Sequence, residues 1–320
     1  MSWNRRKGIA SFVLTIVWIW LWTSVGSAAF LDVGLGARPV GLGRAFVALA
    51  DDANAMLYNP AGLAYLERME LTSTYARLYP GIEDDKLHLG YLGVTRPLGT
   101  MGTAGFGITN LWADLYSENV LYFSYARNIK EGLSLGGSLK LLRWSAEGYT
   151  DPITEASEGG LSWSGFTLDV GALYTLDPER LPDFIGAHKL QLGLAAFNLN
   201  QPAAADNGAD AAKLPLGFEG GLFYLRNNVK ILISYSRRDE KSKLHLGQET
   251  ELWNQKSRLG PTVFVVRAGA YQLLSEGKGG ELDFGCGFAL QKALIDYAYV
   301  FPLALKDAGG CHKVSIGYAF

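Results

Sequence analysis

Cysteine is nearly absent. The 320 residues hold only Cys286 and Cys311, too few for a disulfide scaffold or a cysteine-built metal site. Neither sign of charge dominates: 29 Lys and Arg face 31 Asp and Glu, for a net charge of -2. The basic footprint of a nucleic-acid partner is therefore missing. Histidine occurs four times, as His88, His188, His245 and His312, always singly. None forms HExxH or another close ligand pair, which argues against zinc. Beyond residue 30 no apolar run reaches the length of a spanning helix. A mature chain in a membrane must then cross it as a closed barrel of strands. No Pro-rich linker, charge block or helical repeat marks a second domain.

The N-terminus is where apolar length is found. Arg5, Arg6 and Lys7 precede "IASFVLTIVWIWLWTSVG", and Gly26-Ser27-Ala28-Ala29 follow with small residues suited to cleavage. This predicts a secretory signal peptide over 1–29, with the mature chain starting near Ala29 or Phe30. An uncleaved anchor is the alternative, and either one exports the remainder.

Period two runs through that remainder, which is rich in glycine (39 residues) and aromatics (12%). In "KVSIGYAF" Val314, Ile316, Tyr318 and Phe320 share a face opposite Lys313, Ser315, Gly317 and Ala319. "ELDFGCGFAL", "FTLDVGALY" and "VKILISYSRR" alternate in the same way. Strict alternation marks strands with one apolar face. A soluble sandwich and a membrane barrel both alternate. The signal peptide, the strand count and an aromatic final residue favour the barrel, with bulky residues toward lipid and small polar ones toward the lumen. Turn signals place strands near 69–79, 86–96, 103–113, 119–127, 133–144, 164–175, 188–198, 215–226, 229–238, 243–253, 261–272, 281–290, 293–301 and 312–320. The expected fold is all-β: a transmembrane, antiparallel, up-and-down barrel of about 14 strands over 65–320. Connections such as 227–228 and 291–292 read as periplasmic turns, and 145–163 and 199–213 as external loops. The connection 176–187 is long for a turn, and Leu181 and Phe184 fit a short helix there.

Catalytic motifs are wanting. "GLGARPVGLG" fails as a dinucleotide loop, because no strand precedes it and Pro39 occupies the third glycine position. Nothing resembles a nucleophile elbow. A Ser-His-acid set can still assemble in space, so a lipid hydrolase remains a minor alternative to a chain that is no enzyme and holds no cofactor. The expected inward charges are Lys140, Asp169, Glu219, Lys230, Glu249, Glu251, Arg267, Asp283, Asp296 and Lys313. They serve either as a network that stiffens the barrel and holds a plug, or as the lining of a polar pathway. Since semi-buried charges need partners, Arg267 is expected to pair with Glu249 or Glu251.

A barrel of this size is wider than its own side chains fill. The segment 30–64, ahead of the first strand, suits a hatch. "RAFVALADDANAM" can form a helical turn or two with Phe46, Val47 and Ala50 on one side, ended by Asp51-Asp52. Asn59, Pro60, Ala61 and Gly62 then give a tight turn, with Gly62 read as a positive-φ position. Gly41 and Gly43 complete the hatch residues singled out.

"GARPVGLGRAFVALADDANAMLYNPAGLA" resembles the hatch of the FadL-like outer-membrane proteins. "HKLQLGLAAFNLNQPAAADNGADAAKLPLGFEGGLFY" and "GQETELWNQKSRLGPTVFVVRAGAYQ" are similar to the PorV/PorQ branch, departing from it in "QET" and in a longer turn at 254–260. The resemblance covers most of the mature chain. It implies an outer-membrane barrel with a periplasmic hatch and with lipid and the barrel-assembly machinery as partners, the latter reading the terminal Phe320. For function it implies passive transport of hydrophobic small molecules. The alternative is a PorV-like part of type IX secretion that binds or shuttles cargo, and a purely structural role comes third.

Overall fold

The computed structural model describes residues 29–30, 33–81, 86–150, 157–177, 179, 186–204, 213–257, 260–274, 279–305 and 309–320. Barrel strands are β1 (Glu70–Arg77), β2 (His88–Pro97), β3 (Thr103–Trp112), β4 (Tyr116–Lys130) and β5 (Leu133–Ala146). After the two-residue strands β6 (Tyr149–Thr150) and β7 (Ser157–Glu158), which pair with each other alone, the barrel resumes with β8 (Leu161–Leu176), β9 (Lys189–Phe197) and β10 (Gly217–Arg226). It ends with β11 (Val229–Arg238), β12 (Lys241–Ser257), β13 (Gly260–Leu273), β14 (Gly280–Leu290), β15 (Ala293–Pro302) and β16 (Cys311–Ala319). Fourteen strands close antiparallel, each beside its neighbour in sequence, and β1 meets β16 from Glu70↔Ala319 to Arg77↔His312.

Exposure is inverted relative to a water-soluble protein. Ile316 is 60% exposed, Leu194 64% and Phe284 54%, while Gln191 and Asp283 are 0% and Lys313 is 1% exposed. The alternation that separates these faces is that of a lipid-facing wall around a polar lumen. No helix among the described residues is long and apolar enough to cross a membrane. Short connections such as Asn227–Asn228 and Gln291–Lys292 share one end with Phe320, the periplasmic end by the usual asymmetry of loops. Residues 151–156, 178, 180–185 and 205–212, including Leu181 and Phe184, and the signal segment 1–28 lie outside the described residues.

The connection at 254–260 is shorter than the sequence suggested. Asn254 pairs with Val263 and Gln255 with Thr262, so β12 runs to Ser257 and β13 starts at Gly260. A bulge between Glu251 and Trp253 is the physical cause. It takes up one residue and lets Leu252 and Trp253, 60% and 55% exposed, both face outward.

Residues 33–66 lie inside the barrel. Helix α1 (Ala37–Gly41) packs against β13 to β16, and its first N–H is received by Ser315 Oγ on the wall at 2.8 Å. Helix α2 (Ala55–Tyr58) leads into a 3-10 turn, Pro60–Tyr65, that packs on β3, β4, β5 and β8. The helical turn expected at 44–50 is reduced to one turn, in which the Phe46 carbonyl accepts from the Leu49 and Ala50 amides at 3.1 and 2.9 Å. Gly43 and Arg44 both have positive φ, at 63° and 64°, and so does Ala50 at 35°, which breaks the chain into successive turns between the two helices.

The hatch backbone touches the wall where the wall is glycine. A Cβ on Gly193 would overlap the Val47 carbonyl oxygen, and one on Gly247 would overlap that of Leu42. On β5, two strands round the wall from β9, a Cβ on Gly136 would stand 2.5 Å from the Ala61 amide nitrogen. Gly193→Val should therefore leave the barrel formed but displace the hatch. Heat-modifiable gel migration should persist while protease cuts within 33–66 appear. If those residues stay protected, backbone contact at Gly193 does not seat the segment.

Candidate functional site: the hatch and the lumen wall

Arg38 organises the periplasmic half of the lumen. Its Nη1 donates to Asp51 Oδ1 at 2.6 Å and to Asp52 Oδ2 at 2.7 Å, and its Nε donates to Glu249 Oε2 at 3.1 Å. Glu249, 3% exposed, also accepts from Arg267 Nε at 2.6 Å and from Lys230 Nζ. Arg267 Nη1 passes on to Asp296 Oδ1 at 2.6 Å. One continuous ionic chain thus joins the hatch to β11, β12, β13 and β15. Charge-assisted bonds of this kind are strong, and buried charges demand them. Burial pushes the Asp51 carboxyl upward, but Arg38 and Lys230 outweigh it and hold Asp51 below the usual carboxylate range.

Other expected residues fall around this hub. Asp51 and Asp52 bind Arg38 rather than ending a helical turn, and Asp52 Oδ1 also caps the next turn through the Asn54 amide at 2.8 Å. Phe46 is fully buried, edge-on to Tyr58 at 5.6 Å, with the Arg38 guanidinium 5.5 Å above its ring. Asn59 holds its own turn by accepting from the Ala61 amide at 3.1 Å, and its Nδ2 donates to the carbonyls of Val47 at 2.7 Å and of Ala172 on β8 at 3.1 Å. Pro60 opens the 3-10 turn. Gly62 is not a positive-φ residue. A Cβ there would overlap the Ala50 carbonyl oxygen, so close approach and not backbone conformation demands glycine. Gly43 does have positive φ, and Gly41 lies against Gly285, its Cβ position 3.3 Å from that Cα.

On the wall, Lys140 pairs with Asp169 at 2.8 Å and donates to Asn198 Oδ1 at 2.9 Å. Glu219 accepts from Ser234 Oγ at 2.8 Å. Lys313 donates to the Val33 carbonyl at 2.9 Å and to the Gly34 carbonyl at 2.5 Å, another tether of the hatch. Asp283 is fully buried with no hydrogen-bond partner among the described residues. Glu251 is half-buried and stands apart from the network: of the two partners expected for Arg267, Glu249 is present, and Asp296 takes the other side. The bulge beside Glu251 turns the strand at that point. Phe320 lies outside, against Tyr318 at 4.9 Å.

Sequence reasoning missed Arg38, together with Arg44, which binds Glu281 at 2.6 Å, and His245, whose Nδ1 lies 2.8 Å from the Gly43 carbonyl. One signal was available: two adjacent acids in an otherwise apolar hatch need a cation, and Arg38 and Arg44 are the cations that the hatch offers.

Residues 52–318 match the family of the type IX secretion system membrane protein PorP/SprF. The chain belongs to that family of outer-membrane β-barrel proteins, not to the PorV/PorQ branch as such. No curated protein sequence matches it. Among solved structures it is similar to the CymD monoaromatic hydrocarbon channel, at 17% identity over 91% of this chain and 99% of that one, with a TM-score of 0.61. A Pseudomonas aeruginosa FadL homologue matches at 15% identity over 88% and 97%, with a TM-score of 0.57. The Pseudomonas putida toluene transporter TodX matches at 11% over 89% and 98%, with a TM-score of 0.61. At these identities the shared property is the FadL-like barrel fold.

Removing Glu249 should be the most damaging single loss. Glu249→Ala leaves Arg38, Lys230 and Arg267 facing one another without their common carboxylate, and a broken buried pair costs about 3–5 kcal/mol. Glu251→Ala should cost no more than about 0.5 kcal/mol, as surface changes do. The temperature of the heat-modifiable gel shift measures both, and equal tolerance would dissolve the proposed hub. Acid should also loosen the hatch. The folded Asp51 value lies below the unfolded one, so its contribution is full above about pH 4 and fades as pH falls through the depressed value. Protease protection of 33–66 titrated downward from pH 6 should hold until below pH 4. Loss already at pH 5 would contradict the pairing with Arg38.

Proposed function

We propose that this chain is a plugged outer-membrane component of type IX secretion, exported by its N-terminal signal peptide, that acts by binding other proteins and carries out no chemistry of its own. The observation that carries this reading is the ion-locked hatch. Passage of a polypeptide through this lumen would require the hatch to move and Arg38, with its hatch partners Asp51 and Asp52, to leave Glu249 of the wall, and family membership supplies the secretion context. A PorV-like role, holding or shuttling cargo at the outer membrane, is the finer form of the same reading.

A second reading, passive entry of hydrophobic small molecules, is favoured by one feature of the wall. Strand β8 pairs with β9 only from Val170 onward, so Leu161–Asp169 have no β9 partner. Residues 198–200 patch this edge instead, through Leu199 N to the Leu168 carbonyl at 3.0 Å and Asn200 Nδ2 to the Phe166 carbonyl at 2.9 Å. Inside this patch lies a cavity of about 130 Å³ where Leu111, Phe197 and Leu214 share the lining with charged groups such as Lys140, Asp169 and Glu219.

Deleting the gene should leave type IX cargo inside the cell, and affinity purification from native outer membrane should recover secretion proteins. Normal cargo export together with lost toluene uptake would favour the second reading. Deleting residues 31–58 from the purified chain should raise conductance in planar bilayers. An inserted, truncated barrel that conducts no more than the intact one would show that the segment is not the seal.

A further inference from the structure

The lipid-facing wall carries a row of aromatic and imidazole side chains centred on one arginine at its outer rim. Five adjacent strands contribute one residue each: Trp112 of β3, His88 of β2, Arg77 of β1, His312 of β16 and Tyr299 of β15. Side chains directly opposite on one face have Cβ atoms about 5 Å apart, so Arg77 stands between two imidazoles. Both rings are braced in the same manner. His88 stacks on Trp112 at 5.3 Å, and its Nδ1 meets the Tyr75 hydroxyl at 2.9 Å. His312 lies 5.0 Å from the Tyr299 ring, and its Nδ1 meets the Tyr297 hydroxyl at 2.7 Å. With each Nδ1 occupied, each Nε2 is the free nitrogen. Arg77 is exposed and forms no ion pair among the described residues.

The position defines the ligand. These strand ends border the connections 78–87 and 303–310, opposite the end that holds Phe320. They therefore lie at the headgroup level of the outer leaflet. A guanidinium presents a planar fork matched to phosphate oxygens, and imidazole N–H groups add donors on either side. The aromatic collar beneath suits the interface between headgroup and acyl chain. We propose that this row binds the phosphate headgroup of an outer-leaflet glycolipid. The inference rests only on the outer-membrane placement of the barrel, so its failure and that of the secretion reading are separable.

The test uses the full-length barrel in detergent, with diphosphoryl lipid A as probe and native mass spectrometry as readout. Arg77→Ala should weaken lipid A retention about tenfold, the value of one charge-assisted bond. The double change His88→Ala with His312→Ala should weaken it further than Tyr75→Phe with Tyr297→Phe, which only unbraces the rings. Arg127→Ala, an exposed arginine of β4 near the periplasmic end, should have no effect. Heat-modifiable migration confirms that each variant has assembled. Dephosphorylated lipid A should bind the unaltered chain as poorly as the phosphorylated form binds Arg77→Ala. Equal retention by the unaltered chain and Arg77→Ala would overturn the proposal. So would full displacement of lipid A by inorganic phosphate, which would mark the row as a site for the free ion.

Discussion

The width of a fourteen-stranded barrel is the constraint from which the rest of the structure follows. Inward side chains from such a wall cannot meet across the axis, and an empty lumen would be an open pore. This chain fills the space with its own backbone, and backbone can lie against backbone only where no Cβ intervenes. Gly193, Gly247 and Gly269 therefore stand on the inner face between polar or larger residues such as Gln191, Glu249 and Arg267. Part of the abundance of glycine thus reflects the docking of the hatch, beside the positive-φ glycines of the turns. Apolar side chains of the wall such as Leu173, Phe223 and Leu232 pack with Leu42, Phe46 and Leu63 of the hatch in one buried cluster, and directional polar contacts fix the register of that packing.

Those contacts need charge because the hatch is short and its helices are shorter. Helix α1 has five residues and α2 has four, too few to be stable without partners. Each part is pinned to the wall by a different chemistry: α1 through Ser315 and Arg38, the chain before it through Lys313, and the 3-10 turn through Asn59 and Ser134. The acids that Arg38 gathers come from both partners, Asp51 and Asp52 from the hatch and Glu249 from the wall. Folding of the hatch and closure of the barrel are thus coupled. A hatch without a wall leaves Arg38 short of Glu249, and a wall without a hatch leaves Glu249 with cations on β11 and β13 alone.

The strands were legible because lipid imposes a rule that most of the wall between its rims obeys. Every second residue must be apolar, as in Val314, Ile316 and Tyr318, and the other set must suit a polar lumen. The bulge at Glu251 to Trp253 was not legible, since a two-residue outward run resembles the end of a strand, and so the turn after it was drawn too long. In the hatch, the composition of Asn59 to Gly62 announced a turn, but the reason for Gly62 was hidden. Its neighbour Ala50 is distant in sequence, and only the folded path brings that carbonyl to it. Arg38 escaped notice for the same reason. A single arginine among glycines carries no periodic signal, and its three carboxylates converge only in three dimensions.

The distribution of strength around the lumen bears on what such a barrel can pass. Along β11 to β16 the hatch is held by buried ion pairs, and moving it costs their desolvated partners. On the β8–β9 side the wall itself is discontinuous, and its edge is patched by hydrogen bonds from 198–200 with positive φ at Asn198 and Gln201. Breaking an exposed backbone bond and an amide contact costs far less than separating the buried Arg38 from Glu249. A small apolar molecule would find its cheapest route sideways through that patch, with the hatch unmoved. A polypeptide would find no comparable route, because the patch spans only part of one strand pair and the axis is filled by backbone. Conduction of protein is thus the activity this architecture disfavours most, and a role in secretion for this chain is better met by its surfaces than by its lumen.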